Sequence, residues 1–453
     1  MCIKTFGCQM NFRDSEIILG MLTARGFTPV TSEKEADIIL FNTCSVRQHA
    51  EERVWGQLGK LLKQNKKYIT GKPANRQTGK PKIIGIVGCM AQAYQDAIFR
   101  RFPQVDLICG PANIYDIPDL VTRAIREKTQ LLAVANLTRP LLPESNFRAD
   151  KLKALVNIMY GCNNFCSYCI VPYVRGREIS RPLADIIREI TDLARSGIKE
   201  VTLLGQNVNS YGRDLAGKVN FVHLLEQVDA IDGIARIRFM TSHPKDATKD
   251  LFQAMRTLPK LCEHLHLPLQ SGSDKVLRLM NRKYTLKDYL KLVAELRWLI
   301  PECALTTDII VGFPGETKSD FEETRQAMKK IQFDEAFIFK YSPRPETQAA
   351  RLKDNVMPQE KEKRHQALLT LQAGIGLKKN KKLIGKTLEV LAEEEGRDFS
   401  GQVKTTALVG RTRTNKVTLF CGKRDLISQA VRVKICRSTP HTLIGESNEP
   451  RPS

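Results

Sequence analysis

Short β-branched runs alternate with amphipathic segments along most of this chain, and the alternation stops and restarts near residue 150. Such a pattern builds parallel sheets flanked by helices, and a restart implies two sheets rather than one. At 453 residues the chain also exceeds what one hydrophobic core usually serves. In the first series, Cys2 to Phe6, Ala36 to Asn42, Lys82 to Val87 and Val105 to Cys109 read as strands. Asp14-Ser15-Glu16 opens a helix whose apolar face is Ile17, Ile18, Met21 and Leu22, and Gly26 closes it. The order predicts an α/β domain over residues 1–145 with a doubly wound parallel sheet.

The second series begins at LVNIMYG and continues through Glu200–Leu204, Arg236–Met240, His264–Leu267, Leu305–Val311 and Glu335–Tyr341. Six βα units in succession predict a partial TIM-type (βα)6 barrel over residues 146–375, with functional residues at the carboxyl ends of its strands. A polar, helix-like stretch at 358–382 ends in KKNKK. Short alternating runs follow, separated by Gly and polar turns, and predict a small antiparallel β barrel over 376–440, with 441–453 as a tail.

The whole chain carries 71 Lys and Arg against 49 Asp and Glu, a formal charge of +22. Such an excess attracts a polyanion, and nucleic acid is the favoured partner over a basic surface with no cognate ligand. Gly376 to Arg437 alone hold 15 basic and 6 acidic residues, which suits an RNA-binding appendage or, failing that, a structural cap. Residues 60–82 hold seven Lys and one Arg with no acid, broken by Gly and Pro; they read as an exposed loop that contacts RNA or is simply solvated. The start, MCIKTFGCQMN, lacks a secretion signal, and no apolar run approaches the ~18 residues of a membrane span, so a cytoplasmic, non-membrane protein is expected.

Twelve cysteines in such a protein suggest metal ligation or buried thiols rather than disulfides. Cys8, Cys44 and Cys89 each follow one of the first three strands by a residue or two. Carboxyl ends of parallel strands share one edge of a sheet, so the three converge there as a metal site, or else are unrelated core thiols. Cys162-x3-Cys166-x2-Cys169 directly follows the first strand of the second series. Three thiolates so close can hold three irons of a [4Fe-4S] cubane and leave the fourth open to the amino and carboxylate groups of S-adenosylmethionine (SAM). Zinc, with His243, His264 or His266 completing the set, is the alternative. Cys2, Cys109, Cys262, Cys303, Cys421 and Cys436 fall in no pattern and read as structural thiols.

NIMYGCNNFCSYCIVPYVRGREISRP resembles the cluster motif of radical SAM enzymes, and specifically of the methylthiotransferases. TFGCQMNFRDSE, FNTCSVR and IVGCMAQ resemble the amino-terminal domain of that family. LLGQNVNSYG, RFMTSHP, HLPLQSGSDKVLRLMNRKYT, TDIIVGFPGET and YSPRP extend the likeness through the barrel, and the terminal module looks like a TRAM domain. TFGCQMNFRDSE and GQNVNSYG are most similar to the MiaB-type tRNA branch. The resemblance implies a tRNA methylthiotransferase that converts N6-isopentenyladenosine beside the anticodon, at tRNA position 37, to its 2-methylthio derivative. It implies two [4Fe-4S] clusters, an auxiliary one on Cys8, Cys44 and Cys89 and a SAM-binding one on Cys162, Cys166 and Cys169, with SAM consumed in two steps and an external electron donor. A monomer is compatible with all of this. No side chain is expected to act as a strong acid or base.

Gly205-Gln206-Asn207 ends the second barrel strand, where it meets the methionine part of SAM or only makes a tight turn; Tyr168 packs by the SAM adenine or shields the cluster. Ser242-His243, Gln270-Ser271-Gly272-Ser273 and Gly312-Phe313-Pro314-Gly315-Glu316 occupy further strand ends with the same two readings. Arg175, Arg177 and Arg181 suit either phosphate neutralisation or salt bridges. Two departures stand out: Glu346 and Gln348 replace the family's usual Gly and Pro, and the basic insertion widens the spacing before Cys89. The competing functions are a methylthiotransferase for another tRNA base or a ribosomal protein, and a non-catalytic iron-sulfur RNA-binding regulator.

Overall fold

The computed structural model describes residues 1–45, 48–63, 82–135, 147–396 and 406–447. The basic run expected to form an exposed loop lies, from 64 to 81, outside the described residues. Its last residue, Lys82, is buried and donates to the carbonyls of Glu33 (2.6 Å) and Lys34 (3.1 Å), so it holds the fold rather than RNA.

β1 (Cys2–Phe6), β2 (Ile38–Thr43), β3 (Ile83–Gly88), β4 (Leu107–Cys109) and β5 (Leu131–Ala133) form one all-parallel sheet in sequential order. β2 and β3 are almost wholly buried, as expected of strands covered on both faces. Ile17, Ile18 and Leu22 of helix Gln9–Ala24 pack with Leu120 and Val121 of helix Ile117–Glu127 on one face. Val54 and Leu58 of helix Gln48–Lys63 pack with Met90 and Ile98 on the other.

β6 (Lys153–Asn157) starts the barrel, and β7 (Met159–Tyr160) pairs with β8 (Ile179–Ser180) as a small ribbon beside it. β9 (Glu200–Leu204) lies parallel between β6 and β10 (Arg236–Met240), while β12 (Ala304–Val311) lies parallel between β11 (His264–His266) and β13 (Glu335–Lys340). A parallel bridge from Ile237 to Leu261 and a hydrogen bond from Ser242 N to His266 O (3.3 Å) join the two halves. Six strands thus curve in chain order as an open barrel, with the largest hydrophobic cluster between them and the outer helices.

β14 (Thr387–Glu395), β15 (Thr406–Thr412), β16 (Val417–Gly422), β17 (Ala430–Ser438) and β18 (Thr442–Ser447) close a second barrel. β16 and β18 pair parallel, whereas the other ladders are antiparallel. The closing strand lies in the segment read from sequence as the tail: Leu443, fully buried, fills the barrel core, so the module runs to 447. Residues 448–453 lie outside the described residues.

This small barrel is seated on the large one. Arg236 donates to Arg411 O (2.7 Å) and Glu389 (2.7 Å), Arg238 to the carbonyls of Thr412 (2.9 Å) and Arg413 (2.8 Å), and Arg413 returns a forked bond to Glu263. Paired and hydrogen-bonded in this way, buried guanidinium groups fix two modules in one orientation.

Candidate functional site

Cys8 immediately precedes helix Gln9–Ala24, Cys44 follows β2, and Cys89 follows β3 and starts helix Cys89–Tyr94. All three therefore stand at the carboxyl edge of the sheet, as their spacing predicts. Gly7 makes the approach feasible. Its φ is +137°, and a Cβ placed on it would fall 2.3 Å from Cys44 Cβ. Asn11 and Asn42 brace the loops: Asn11 donates to Asn42 Oδ1 (3.0 Å) and Thr43 O (2.9 Å), and Asn42 donates to Asn11 O (2.8 Å) and Ser15 Oγ (2.8 Å). The hydrogen bond with Cys44 draws the Cys8 thiol down to about 6 against its burial, with help from the Arg175 charge. Burial pushes the Cys89 thiol up despite the same guanidinium.

Cys162, Cys166 and Cys169 sit on the loop after β7, at the carboxyl end of the barrel. Cys169 N donates to Cys166 O (3.0 Å), and Asn164 offers its backbone and side-chain N–H to Cys162 Sγ, both at 3.5 Å. Burial pushes the Cys162 thiol up to about 11.

Two buried arginines complete the picture. Arg175 Nε donates to Cys89 Sγ (3.2 Å) and its Nη2 to Asp14 (2.7 Å); Arg282 Nη1 donates to Cys166 Sγ (3.2 Å) and its Nη2 to Pro268 O (3.0 Å). Arg175 comes from the segment just past Cys169, and Ile170 and Val174 of that segment pack directly on Cys89. One short stretch of chain therefore joins the two triads.

The donor sets suit clusters. Among the described residues no three His, Cys, Asp or Glu side chains converge on a point that would hold a single ion. A cubane would take one thiolate at each of three corners, and each triad supplies three thiols for that. His264 and His266 are buried in β11, with His266 Nδ1 2.9 Å from Thr306 Oγ1, and do not join the cysteines. A polar cradle rings the carboxyl ends of the barrel strands: Asn207 Oδ1, Gln206 Oε1, Ser242 Oγ, Gln270 Oε1 and Tyr341 OH are buried without a partner among the described residues. Buried polar atoms left in this state cost free energy unless a ligand or water satisfies them, which fits a polar cofactor such as SAM.

A radical SAM superfamily profile matches residues 156–328, an uncharacterised family UPF0004 profile residues 1–110, and a TRAM domain profile residues 381–447. The tRNA-2-methylthio-N(6)-dimethylallyladenosine synthase of Caldicellulosiruptor saccharolyticus is 48% identical over 98% of this chain and 91% of its own length. That of Thermoanaerobacter sp. is 46% identical over 98% and 92%. This chain belongs to the tRNA-2-methylthio-N(6)-dimethylallyladenosine synthase family. The solved radical SAM methyltransferase TsrM from Kitasatospora setae, with cobalamin and a [4Fe-4S] cluster bound, shares the fold at a TM-score of 0.54 and 15% identity, over 77% of this chain and 73% of its own.

The softer sequence expectations separate. Asn207 donates to Asp246 (2.7 Å) and leaves its carbonyl oxygen free, while the Gln206 amide meets Met10 Sδ from the amino-terminal domain. Gly205 lies at the end of β9, where a Cβ would fall 2.6 Å from Met159 Cγ, a close approach that favours glycine. Tyr168 packs on the cluster formed by Val276, Met280, Phe313 and Tyr341, under the second triad. Ser271 and Ser273 serve turn-making: Ser273 donates to Asp320 (2.7 Å), Ser271 meets Thr324 (3.2 Å), and Gly272 lets its strand end touch the backbone of Thr324.

Arg175 and Arg181 are buried and do not face phosphates; Arg181 bonds Glu189 (2.7 Å) and Asn157 O (2.6 Å). Arg177 stacks over the Phe165 ring at 4.9 Å. Sequence reading missed Arg282 and Asp14, because a single Arg or Asp inside a longer motif gives no sign of a sulfur or guanidinium partner far away in the chain.

Proposed function

We propose that this synthase holds a SAM-binding [4Fe-4S] cluster on Cys162, Cys166 and Cys169 and an auxiliary [4Fe-4S] cluster on Cys8, Cys44 and Cys89. With them it converts N6-isopentenyladenosine at tRNA position 37 to its 2-methylthio derivative. When bound, these groups supply reductive cleavage of SAM to a radical and the sulfur that is transferred. The packing of Ile170 and Val174 with Cys89 supports this reading, because it sets the segment after Cys169 against the sheet edge that holds Cys89, and transfer between two clusters requires such proximity.

The chain's own residues bind, orient and exclude water. Asn207, Ser242 and Gln270 have free polar atoms for the cofactor, with Gln206 at the seam between the domains. Phe313, Met280, Val276 and Tyr341 form an apolar floor beneath Tyr168 that keeps water from the second triad. Arg175 and Arg282 supply fixed positive charge beside thiolates, which a buried anionic group requires. His243 is kept neutral by burial and by the neighbouring Arg282, far below its ordinary range, so it is no proton source at neutral pH. The tRNA substrate implies a cytoplasmic setting, and the reductive step implies an external electron donor. Among the described residues no helix is long and apolar enough to cross a membrane.

Anaerobic reconstitution with isopentenylated tRNA, SAM and a reductant, followed by nucleoside mass spectrometry, tests the reading. A 2-methylthio product is expected. SAM cleavage with two clusters present and no such product would overturn it, and parallel reactions with unmodified tRNA and a ribosomal-protein peptide identify the alternative substrates.

A further inference from the structure

Helices Leu286–Leu299, Lys318–Ile331 and Pro358–Lys381 all end around one cavity of about 480 Å³ at the amino end of the barrel strands. Its lining is Arg297, Lys329, Gln332, Lys378, Lys379 and Lys382. A cation in a last helical turn offsets the helix dipole, and that accounts for part of this set. Arg297 donates to the carbonyls of Ile331 and Gln332, and Lys379 donates to Gln332 O (3.1 Å) and pairs with Asp334. Asp334 is already shared with Lys416 at 3.0 Å. Lys329, Lys378 and Lys382 are exposed and make no ion pair among the described residues, so three ammonium groups face one concavity without a paired carboxylate.

A second feature lies one residue further along the chain. Trp298 follows Arg297, does not itself line the cavity, and is 75% exposed. A large ring left in water beside a basic concavity is what single-stranded or looped RNA uses, phosphates on the cations and a base face on the ring. The site also continues the basic small barrel: Asn380 donates to the carbonyls of Thr439 (3.0 Å) and Pro440 (3.2 Å).

We infer that this concavity docks tRNA, with Lys329, Lys378 and Lys382 taking backbone phosphates and Trp298 stacking on a nucleoside. The inference rests on tRNA being the substrate. Both cysteine triads lie at the opposite end of the strands, and the eight residues of β12 span roughly 26 Å at about 3.3 Å each. The RNA held here is therefore outside the anticodon loop that offers its adenine to the triads.

The test compares reconstituted wild type with Lys378→Gln/Lys382→Gln and with Trp298→Ala, reading affinity for full-length tRNA and for an isolated anticodon stem-loop across a salt series. Two lost phosphate contacts should weaken full-length binding about tenfold and lower the slope of log affinity on log salt by about 1.5 to 2. Trp298→Ala should weaken binding about fivefold or more with the slope unchanged. Stem-loop binding, iron content, circular dichroism and RNA-free SAM cleavage should match wild type. Unchanged affinity and slope for full-length tRNA in both variants would overturn the inference, as would an equal loss for the stem-loop. Wild type that binds tRNA in this manner yet forms no methylthio product would count against the substrate reading instead.

Discussion

Arg175 Nε stands 3.2 Å from Cys89 Sγ, while Nη2 of the same guanidinium holds Asp14 at 2.7 Å. Asp14 belongs to the first helix of the amino-terminal domain and Arg175 to the segment after the barrel's cysteine loop, so the pair fastens the two domains beside Cys89. Arg175 and Asp14 are 6% and 2% exposed, and a buried pair behaves asymmetrically: losing one partner is costly because it strands the other.

Arg175→Gln should therefore cost about 3 kcal/mol of stability, and Asp14→Asn in the same chain should restore most of it. Given the proposed auxiliary cluster, loss of the guanidinium should also change that cluster's electron paramagnetic resonance spectrum, read in a Cys166→Ala background that lacks the other. Methylthio product should fall at least tenfold with SAM cleavage within a few-fold of wild type. An unaltered spectrum and yield would show that Arg175 only holds the fold.

The two triads should separate by function. Cys166→Ala should abolish SAM cleavage, whereas Cys44→Ala should spare it and stop product formation, each with about half the iron of wild type. High-performance chromatography of 5′-deoxyadenosine together with nucleoside mass spectrometry reads both. Loss of cleavage in both variants would contradict the division of labour.

Much of this fold is legible in the sequence. β-branched runs placed β1 to β4 and the six barrel strands within a few residues, because strand ends in parallel sheets are marked by Gly, Asn and Ser turns. Strand-end position alone brought Cys8, Cys44 and Cys89 to one edge. What stayed hidden was long-range and polar. No local pattern says that Arg413 will reach Glu263, that Lys82 will cap carbonyls, or that Arg175 will choose Cys89 over solvent. β18 was lost to the tail because Thr442–Ser447 shows only a weak alternation, and the Pro nearby suggested disorder.

Glu346 is another case where sequence and geometry meet. The family resemblance implies Gly at this position, and its φ is +63°, in the left-handed region that costs an L-residue about 1–2 kcal/mol. The loop matters, since Ala349 N donates to Ser167 O (2.7 Å) beside the second triad and Arg344 pairs with the buried Glu51 at 2.7 Å. Glu346→Gly trades that strain for roughly 0.5–1 kcal/mol of added chain entropy. The expected balance is a gain of up to about 1 kcal/mol, read as a higher denaturant midpoint with an unchanged slope; a lower midpoint would mean that the Glu side chain itself holds the loop.

Asp320 gives the clearest pH signature. Burial opposes its charge, but hydrogen bonds from Thr317, Ser273 and Lys275 outweigh it and hold the carboxyl below its ordinary range. These bonds cap helix Lys318–Ile331 and fasten the Ser271–Ser273 strand end to it. A depressed carboxylate contributes in full above its unfolded value of about 3.9, and the contribution disappears as pH falls below that. Asp320→Asn should therefore cost about 1–2 kcal/mol at pH 7, the scale of a lost cap with one charged hydrogen bond, and the same amount at pH 5. The gap between the two proteins should close only below about pH 4. Both carry the same cysteines, so any acid loss of their clusters cancels in the difference between melting temperatures. A gap that instead widens between pH 7 and 5 would place the Asp320 carboxyl above, not below, the ordinary range.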